Sequence, residues 1–287
     1  TAIFAAAAFR LIPSSTRVLT AAQRIKNFAP ALELIQDELK NFDSNKKFIE
    51  ENIIKIDFKS IKFEDVSFGY DQNNEIFTNI NFQVNKGDVI GVLGESGAGK
   101  STLINLASGL IEPTKGEIKI NDKSMKEQKK SWLASLGYVP QQVTLFNDSI
   151  KNNISFFDDG NYEKKLNDAL INSKLQQFID NLPNKVNTVV GEGAAKLSGG
   201  QIQRIGIARA LYTDPEIIIF DEATSSLDEE NESKIMDDID KLSKNKTIII
   251  ITHRLNSVKN CDNIFVLKNG SIIDNGKYID LKNSGRI

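Results

Sequence analysis

A glycine-rich turn between an apolar run and a helix-like segment sets the strongest limit on the fold. Residues 94–101 read Gly-Glu-Ser-Gly-Ala-Gly-Lys-Ser, directly after the apolar run 89–93 and directly before the segment TLINLASGL. The glycines let the backbone bend so that successive N–H groups face one point, toward which the following helix directs its positive N-terminal end. The pattern predicts a strand, an anion-binding turn and a helix.

The polar residues of this turn are those that a nucleoside triphosphate requires. The eight residues match the P-loop pattern, in which Lys100 contacts the β- and γ-phosphates and the Ser101 hydroxyl ligates Mg²⁺. A chance glycine-rich turn is the alternative, and it does not account for the strand and the helix on either side. The residues predicted to bind the nucleotide here are Gly94, Glu95, Ser96, Gly97, Ala98, Gly99, Lys100, Ser101 and Thr102.

A second apolar run ends in two acidic residues. Ile217–Phe220 is followed by Asp221 and Glu222. Open α/β sheets bind ligands at the carboxyl ends of their strands, so both carboxylates are expected near the phosphates. Asp221 would hold Mg²⁺ through water, and Glu222 would act as the general base toward the attacking water. A strand that simply ends in solvated acids is the weaker reading beside a P-loop.

The remaining strand-like segments are of two kinds. Uninterrupted apolar runs such as 217–220 and 248–251 are typical of parallel strands covered on both faces. The segments IKFEDVSF, IFTNINFQV and EIKIN alternate between apolar and polar residues, as half-exposed antiparallel strands do. We therefore predict an α/β fold in which a P-loop NTPase core carries an antiparallel β-subdomain.

The beginning of the chain has a different pattern. The apolar stretch 2–9 is shorter than the about 20 residues that a membrane-spanning helix needs. Basic residues follow it, at Arg10, Arg17, Arg24 and Lys26. Apolar residues followed by cationic ones are expected at the cytoplasmic exit of a membrane helix, given the positive-inside bias. An ordinary amphipathic helix is the alternative.

A helix and a linker are predicted before the main domain. Apolar residues recur at helical spacing from residue 25 to residue 39, and Pro30 is expected to kink that helix or to restart it. Residues 41–57 are polar and charged and are expected to form the linker, with the domain boundary near Phe48. The predicted division is 1–47 and 48–287.

Charge and cysteine content narrow the range of partners. Lys and Arg number 36 and Asp and Glu 38, for a net charge of -2. Because nucleic-acid binding depends on clustered positive charge, no nucleic-acid partner is expected. Cys261 is the single cysteine, which excludes an internal disulfide and fits a reducing, cytosolic location.

The segment Leu197-Ser198-Gly199-Gly200-Gln201, followed by the helical run IGIARALY, resembles the signature motif of ABC ATPases. In physical terms Ser198 is a helix N-cap and the glycines permit a ligand to approach the backbone, so a second anion site is predicted. The resemblance implies a helical signature subdomain. It also implies a head-to-tail dimer in which each signature, Ser198–Gln201, closes on the ATP held by an identical second copy.

Other positions match the family residue by residue. Tyr70 matches the aromatic residue that stacks on adenine, although a lone tyrosine is more often ordinary packing. Gln141 matches the glutamine that reaches Mg²⁺ and water, with Gln142 as a less favoured candidate, and His253 matches the histidine that contacts the γ-phosphate. The loop Ser226-Leu227-Asp228 matches the one that faces the opposite subunit. The resemblance thus implies Glu222, His253, Gln141 and Lys100 as catalytic residues, and Ser101, Gln141 and Asp221 as metal ligands.

The type of ABC protein is indicated by two segments. Residues 188–193 resemble the exporter loop that touches the membrane domain, although Gly193 stands where exporters commonly carry Arg. The helix and linker ahead of the first strand resemble the end of the last transmembrane helix in a fused half-transporter. The nearest resemblance is to bacterial half-transporters that flip lipid-linked oligosaccharides. This implies a transmembrane domain in the same parent chain, ATP and Mg²⁺ as cofactors, and the cytoplasmic face of the inner membrane as location.

Two other classes of protein also pair a P-loop with a signature motif. DNA-repair and chromosome-organising ATPases insert a coiled coil, for which the chain between Gln141 and Leu197 is too short. Soluble translation-associated ABC proteins generally carry two ATPase cassettes in one chain, whereas this sequence contains one P-loop.

Overall fold

The computed structural model describes most of the chain. The described residues are 2–44, 54–71, 74–158, 160, 162–191, 197–225, 227–242 and 246–287. Contacts between residues separate two units, Thr1–Asn52 and Ile53–Ile287. The predicted boundary near Phe48 falls outside the described residues and stays a prediction.

The first unit is a single helix, α1 (Ala2–Ser44), which runs through Pro13 and Pro30. The expected restart at Pro30 is therefore wrong, whereas the expected kink stays a prediction, and the helix extends into the segment expected as linker. Proline removes one backbone donor, and the hydrogen bonds on either side of that position are sufficient to continue the helix. Within the described residues, no helix has both the length and the apolar character needed to cross a membrane.

Every segment predicted above as a strand is a strand of the second unit, and the unit contains further strands as well. In chain order the strands are β1 (Ser60–Asp71), β2 (Asn74–Asn85), β3 (Val89–Gly94), β4 (Lys115–Ile120), β5 (Lys123–Ser124), β6 (Leu136–Val139), β7 (Asp148–Ser149), β8 (Val189–Val190), β9 (Ile217–Asp221), β10 (Thr247–Thr252), β11 (Asn263–Lys268) and β12 (Ser271–Gly276).

The strands form a central sheet and an antiparallel sheet. The central sheet has the order β12-β11-β3-β10-β9-β6, and its strands are parallel apart from β12. The second sheet has the order β2-β1-β4-β5 and is antiparallel throughout. A short antiparallel pair joins β7 to β8. These sheets confirm the predicted P-loop NTPase core with its antiparallel β-subdomain.

Helices cover the central sheet and form the subdomain before the signature segment. They are α2 (Lys100–Ala107), α3 (Lys129–Ser135), α4 (Ile150–Ser155), α5 (Tyr162–Asn172), α6 (Gln176–Asp180), α7 (Gly199–Tyr212), α8 (Glu229–Leu242) and α9 (Tyr278–Asn283). Short 3₁₀ turns lie at Met125–Gln128, Lys185–Asn187 and Leu255–Val258.

The central strands are buried on both faces, as their apolar sequences predict. Along β10, Ile248 and Ile250 pack in the core shared with α5, α7 and α8. Ile249 and Ile251 point the other way, into the core shared with the antiparallel sheet. Side chains alternate along a strand, so an uninterrupted apolar run supplies both cores.

Candidate active site

The predicted catalytic residues lie at one edge of the central sheet. Gly94 ends β3, and Asp221 ends β9. Gln141 follows β6 by two residues, and His253 directly follows β10. Because these strands are parallel neighbours, their carboxyl ends meet at the same edge, which is where open α/β sheets bind ligands.

The glycine-rich turn depends on backbone conformations that favour glycine. Gly97 and Gly99 have φ angles of 84° and 101°. A Cβ atom at Gly99 would lie 2.8 Å from the Phe77 ring. Lys100 begins α2, and its Nζ atom donates to the carbonyl oxygens of Gly94 and Glu95, each at 2.9 Å. The turn therefore holds its own lysine, 7% exposed, over the loop that would receive the phosphates.

The Glu222 carboxylate is the centre of a polar cluster. Its Oε1 atom lies 3.1 Å from Lys100 Nζ, and its Oε2 atom lies 3.3 Å from His253 Nδ1. Gln141 Nε2 donates to Oε2 at 3.1 Å. Burial would raise the pKa of Glu222, but the hydrogen bonds with Lys100 and His253 outweigh it and lower the pKa. The structure thus brings all four predicted catalytic residues into contact, while their roles remain predictions.

The Asp221 carboxylate has a different partner that the sequence analysis missed. Tyr138, on the neighbouring strand β6, donates its hydroxyl to Asp221 Oδ2 at 2.9 Å. Burial raises the pKa of Asp221, and burial together with the Asp221 charge also raises the pKa of Tyr138. The strand order that places β6 beside β9 is a tertiary property, so no local signal near residue 138 indicated this contact.

The predicted magnesium ligands are of a type that suits the ion. Ser101 is exposed in the first turn of α2, and Asp221 presents a partly buried carboxylate. Gln141 donates its Nε2 atom to Glu222 and to Ser225 Oγ, so its amide oxygen is the atom available to a cation. Mg²⁺ is usually held by one or two carboxylates, hydroxyls, water and substrate phosphates. The residues fit this ion, although the described residues contain no cluster of three or more His, Cys, Asp or Glu side chains suited to a metal.

The signature residues form the beginning of α7. The Ser198 hydroxyl accepts from Gln201 N, and the Gln201 side-chain oxygen accepts from Ser198 N, which together make a capping box. Ser198 and Gly199 are exposed, so the positive end of a 14-residue helix faces outward as predicted. Among the described hydrogen bonds and ion pairs, none joins the signature residues to the P-loop turn.

Tyr70 lies near the end of β1 with its ring 62% exposed. The ring packs edge-on against Phe68, with centroids 5.0 Å apart. Phe68 pairs with Phe77 on β2, and Phe77 is the residue that lies against Gly99. Tyr70 is thus an exposed aromatic residue on the strand that pairs with the Phe77 strand, and its adenine-stacking role stays a prediction.

Comparison with known proteins decides the family. A family model described as ABC transporter matches residues 77–225, more than half of the chain. The chain belongs to the ABC transporter family. Membership implies that the nucleotide is ATP, and it confirms the family that the signature segment indicated.

One similar protein is named as a flippase and another as an export protein. The ATP-dependent lipid A-core flippase of Bordetella avium is 35% identical over 280 residues, covering 96% of this chain and 47% of that protein. The leukotoxin export ATP-binding protein LtxB of Aggregatibacter actinomycetemcomitans is 43% identical over 223 residues, covering 77% of this chain and 32% of that protein. The chain therefore spans less than half the length of these relatives.

A solved ABC structure agrees with these relatives. The structure of a bacterial Atm1-family ABC exporter with ATP bound matches with a TM-score of 0.73 at 36% identity, over 82% of this chain and 42% of that one. These likenesses confirm the prediction of an exporter-type ATP-binding domain. They favour it over the DNA-repair and translation-associated ATPases.

Two expected ABC elements are only partly described. Of Ser226-Leu227-Asp228, Ser226 lies outside the described residues. The departure from the exporter pattern at Gly193 also lies outside them, in the gap 192–196. The beginning of that loop is described, and Val189 in it pairs with Ser149 across β7 and β8.

Proposed function

We propose that this chain hydrolyses ATP as one of two identical, head-to-tail copies and thereby drives transport by an exporter-type membrane domain. The observation that carries the proposal is the division of polar groups within one chain. The Lys100–Glu222 cluster offers a cation for the phosphates and a carboxylate for the attacking water, while among the described hydrogen bonds and ion pairs none joins it to the outward-facing N-terminus of α7. In a head-to-tail pair, the α7 N-terminus of the second copy faces the Lys100–Glu222 cluster of the first, and the reverse holds at the other site.

In this proposal the P-loop turn and Lys100 bind the phosphates of one ATP. Lys100 exchanges its contact with Glu222 for the β- and γ-phosphates, which frees the carboxylate for the attacking water. The α7 N-terminus of the second copy then stabilises the γ-phosphate from the opposite side. Ser198, Gly199, Gly200 and Gln201 are therefore binding residues for the ATP of the other copy.

Glu222 is suited to orient the water and accept its proton. Its lowered pKa keeps the carboxylate ionised at neutral pH, which a general base requires. Gln141 and His253 already contact this carboxylate, so they can hold the water and the γ-phosphate beside it. Mg²⁺ held by Ser101, Gln141 and Asp221 would neutralise charge on the phosphates.

An exposed aromatic surface supports docking of a membrane domain. Phe146, Phe156 and Phe157 are 46%, 55% and 53% exposed, and the latter two rings lie 6.0 and 6.5 Å from the first. Phe156 and Phe157 have positive φ angles of 50° and 64°, a strained conformation that persists only when the surrounding structure holds it. Val189, on the predicted exporter loop, is 50% exposed on the strand next to this segment. A helix end from the membrane domain fits such a surface.

The division of the parent protein follows from the same reasoning. We place residues 1–47 at the cytoplasmic end of its last transmembrane helix and 48–287 in the ATP-binding domain, on the cytoplasmic face of the inner membrane. Apolar side chains along α1 are exposed, including Phe9 at 84% and Ile25 at 72%. A lipid-linked oligosaccharide is the substrate class we favour, because the relative named as a flippase aligns with 96% of the chain.

Substitution of the general base tests the proposal. Glu222→Gln keeps the shape of the side chain but cannot accept a proton, so hydrolysis should fall by about 10²- to 10⁴-fold while ATP binding persists. ATP should then hold the variant as a dimer, measured by sedimentation with and without ATP. A variant that binds ATP and stays monomeric at saturating ATP would contradict the paired mechanism.

Lys100→Ala is the matched control. It retains α1 and every exposed apolar residue, so any association caused by these surfaces appears in it as well. Because the P-loop cation is lost, this variant should neither bind ATP tightly nor form the ATP-dependent dimer. Unchanged nucleotide affinity in a titration would overturn the assignment of the P-loop.

A further inference from the structure

Arg254, the residue after His253, is surrounded by the loop that follows Glu222. Its Nη2 atom donates to Ser225 O at 2.6 Å, and its Nη1 atom donates to Thr224 O at 3.3 Å and Leu227 O at 3.5 Å. One side chain therefore bonds to three carbonyls of that loop. A guanidinium can do this because its donors are arranged in a rigid plane.

A buried carboxylate on α8 holds this guanidinium in place. Glu232, whose side chain is 7% exposed, forms an ion pair with Arg254 Nη1. It also accepts from Ser257 Oγ at 2.6 Å and from Thr224 Oγ1 at 3.3 Å. A buried charge is retained at high cost unless it is paired and hydrogen-bonded, and Glu232 is both. The hydrogen bonds of Glu232 connect α8, the loop that follows Glu222 and the segment after His253.

The same loop lies against the beginning of the signature helix. Leu227 is 8% exposed, and a Cβ atom at Gly199 would lie 3.3 Å from its Cδ2 atom. Asn231, which is bonded to Asp228 by its backbone N–H at 2.9 Å, is the side chain nearest to Gly200. Leu227 and Asn231 therefore connect the signature residues to the loop that Arg254 binds.

We propose that Arg254, held by Glu232, is a positioning residue that links His253 to the signature residues of the same chain. The link rests on the proposed function, in which His253 contacts the ATP of its own chain and the signature contacts the ATP of the other copy. When the signature residues of one chain close on the ATP of the other copy, they then set the position of His253 at the ATP of their own chain. The two ATP sites of the dimer communicate through this arginine.

The chain offers a direct readout, because His253 is its only histidine. With isotope-labelled histidine, the ring gives a single set of NMR cross-peaks that needs no further assignment. Arg254→Lys keeps the positive charge beside Glu232, but its three donors lie on one nitrogen and cannot replace all four hydrogen bonds of the planar guanidinium. We expect nucleotide affinity to be unchanged, and the His253 cross-peak in the presence of a non-hydrolysable ATP analogue and Mg²⁺ to broaden or split.

Kinetics provide the second readout. Arg254→Lys should lower kcat by about 10- to 100-fold, since a misplacement of about 1 Å in a catalytic site can cost about 100-fold. In a His253→Ala background the same substitution should lower kcat no further, because Arg254 acts through His253. A merely structural arginine would reduce the rate in both backgrounds.

Two results would overturn the inference: a wild-type His253 cross-peak in Arg254→Lys with bound analogue, or an equal loss of rate with and without His253. If Arg254→Lys does not fold, Glu232→Gln, which keeps the hydrogen bonds of that side chain, is measured by the same NMR experiment with the same expectation. Failure of the proposed function is distinguishable, because the Glu222→Gln chain would then stay monomeric at saturating ATP, a result that does not involve Arg254.

Discussion

Asp221 and Glu222 are adjacent carboxylates in opposite electrostatic surroundings. Burial raises the pKa of Asp221, whereas Lys100 and His253 overcome the effect of burial and lower the pKa of Glu222. The charge on Asp221 therefore destabilises the folded chain, and the charge on Glu222 stabilises it. As the proposed metal ligand, Asp221 would lower the stability of the fold until a cation binds, which is a compromise between stability and function.

Neutralising each carboxylate should thus change stability in opposite directions. At pH 7, without metal or nucleotide, Asp221→Asn should raise the free energy of unfolding by up to about 1 kcal/mol, since Asp221 is only partly buried. Glu222→Gln should lower the free energy of unfolding, because buried Lys100 loses its only described carboxylate partner and keeps only the carbonyl oxygens of Gly94 and Glu95. Denaturant unfolding checks both variants. Equal effects of the two substitutions would show that the local charges do not control stability here.

The P-loop turn and the beginning of the signature helix α7 are elements whose local conformation could be predicted from the sequence. Gly97 and Gly99 have the positive φ angles expected of an anion-binding turn, and Ser198 caps α7 as its position before an apolar helix indicates. The strand segments were also predictable, because their periodicity is local. Tyr138 and the Arg254–Glu232 pair were not, because they depend on which elements lie side by side. The restart at Pro30 was wrongly predicted, because a long helix can continue past one missing donor.

Gly87 and Gly99 both have positive φ angles, but only Gly99 is crowded by a neighbouring side chain. Substituting each by alanine therefore distinguishes the cost of backbone strain from the cost of a steric clash. Gly99→Ala places a Cβ atom 2.8 Å from Phe77 at φ 101°, whereas Gly87→Ala meets nothing within 4 Å at φ 87°. Gly87→Ala should cost about 1 kcal/mol of stability and leave ATP affinity unchanged. Gly99→Ala should cost more and weaken ATP binding, because the turn must shift. Thermal unfolding and nucleotide titration of the two variants measure the difference, and equal losses would contradict the crowding argument.

At the scale of the whole molecule, each copy is proposed to contribute to two ATP sites. The two halves of the proposed site are the P-loop residues that lead into α2 and the signature residues that lead into α7. No described polar contact joins these two groups of residues. The fold and the separate halves of the site could be predicted from motifs. The partner of each half could be inferred only from the family resemblance, because a single chain does not contain it.

A mixing experiment tests the shared sites. Chains with Ser198→Arg and chains with Lys100→Ala are each expected to be inactive alone, since each lacks one half of both sites. In a mixed dimer, one site combines both changes and the other is intact. Activity should therefore reappear on mixing, up to about half of the wild-type rate per dimer if the sites act independently. No recovery with confirmed mixed dimers, or full wild-type activity of either variant alone, would argue against the arrangement.

The exposed N-terminus of α7 also has a consequence for how the rate of ATP hydrolysis depends on the concentration of the chain. In the proposed mechanism two copies must meet before either can hydrolyse ATP, so the rate per chain would follow mass action and fall as the free chain is diluted. A membrane domain that carries each copy replaces this encounter with an effective concentration near the millimolar range. In the proposed transporter, the membrane domains therefore keep the two copies near enough to work at any cellular abundance.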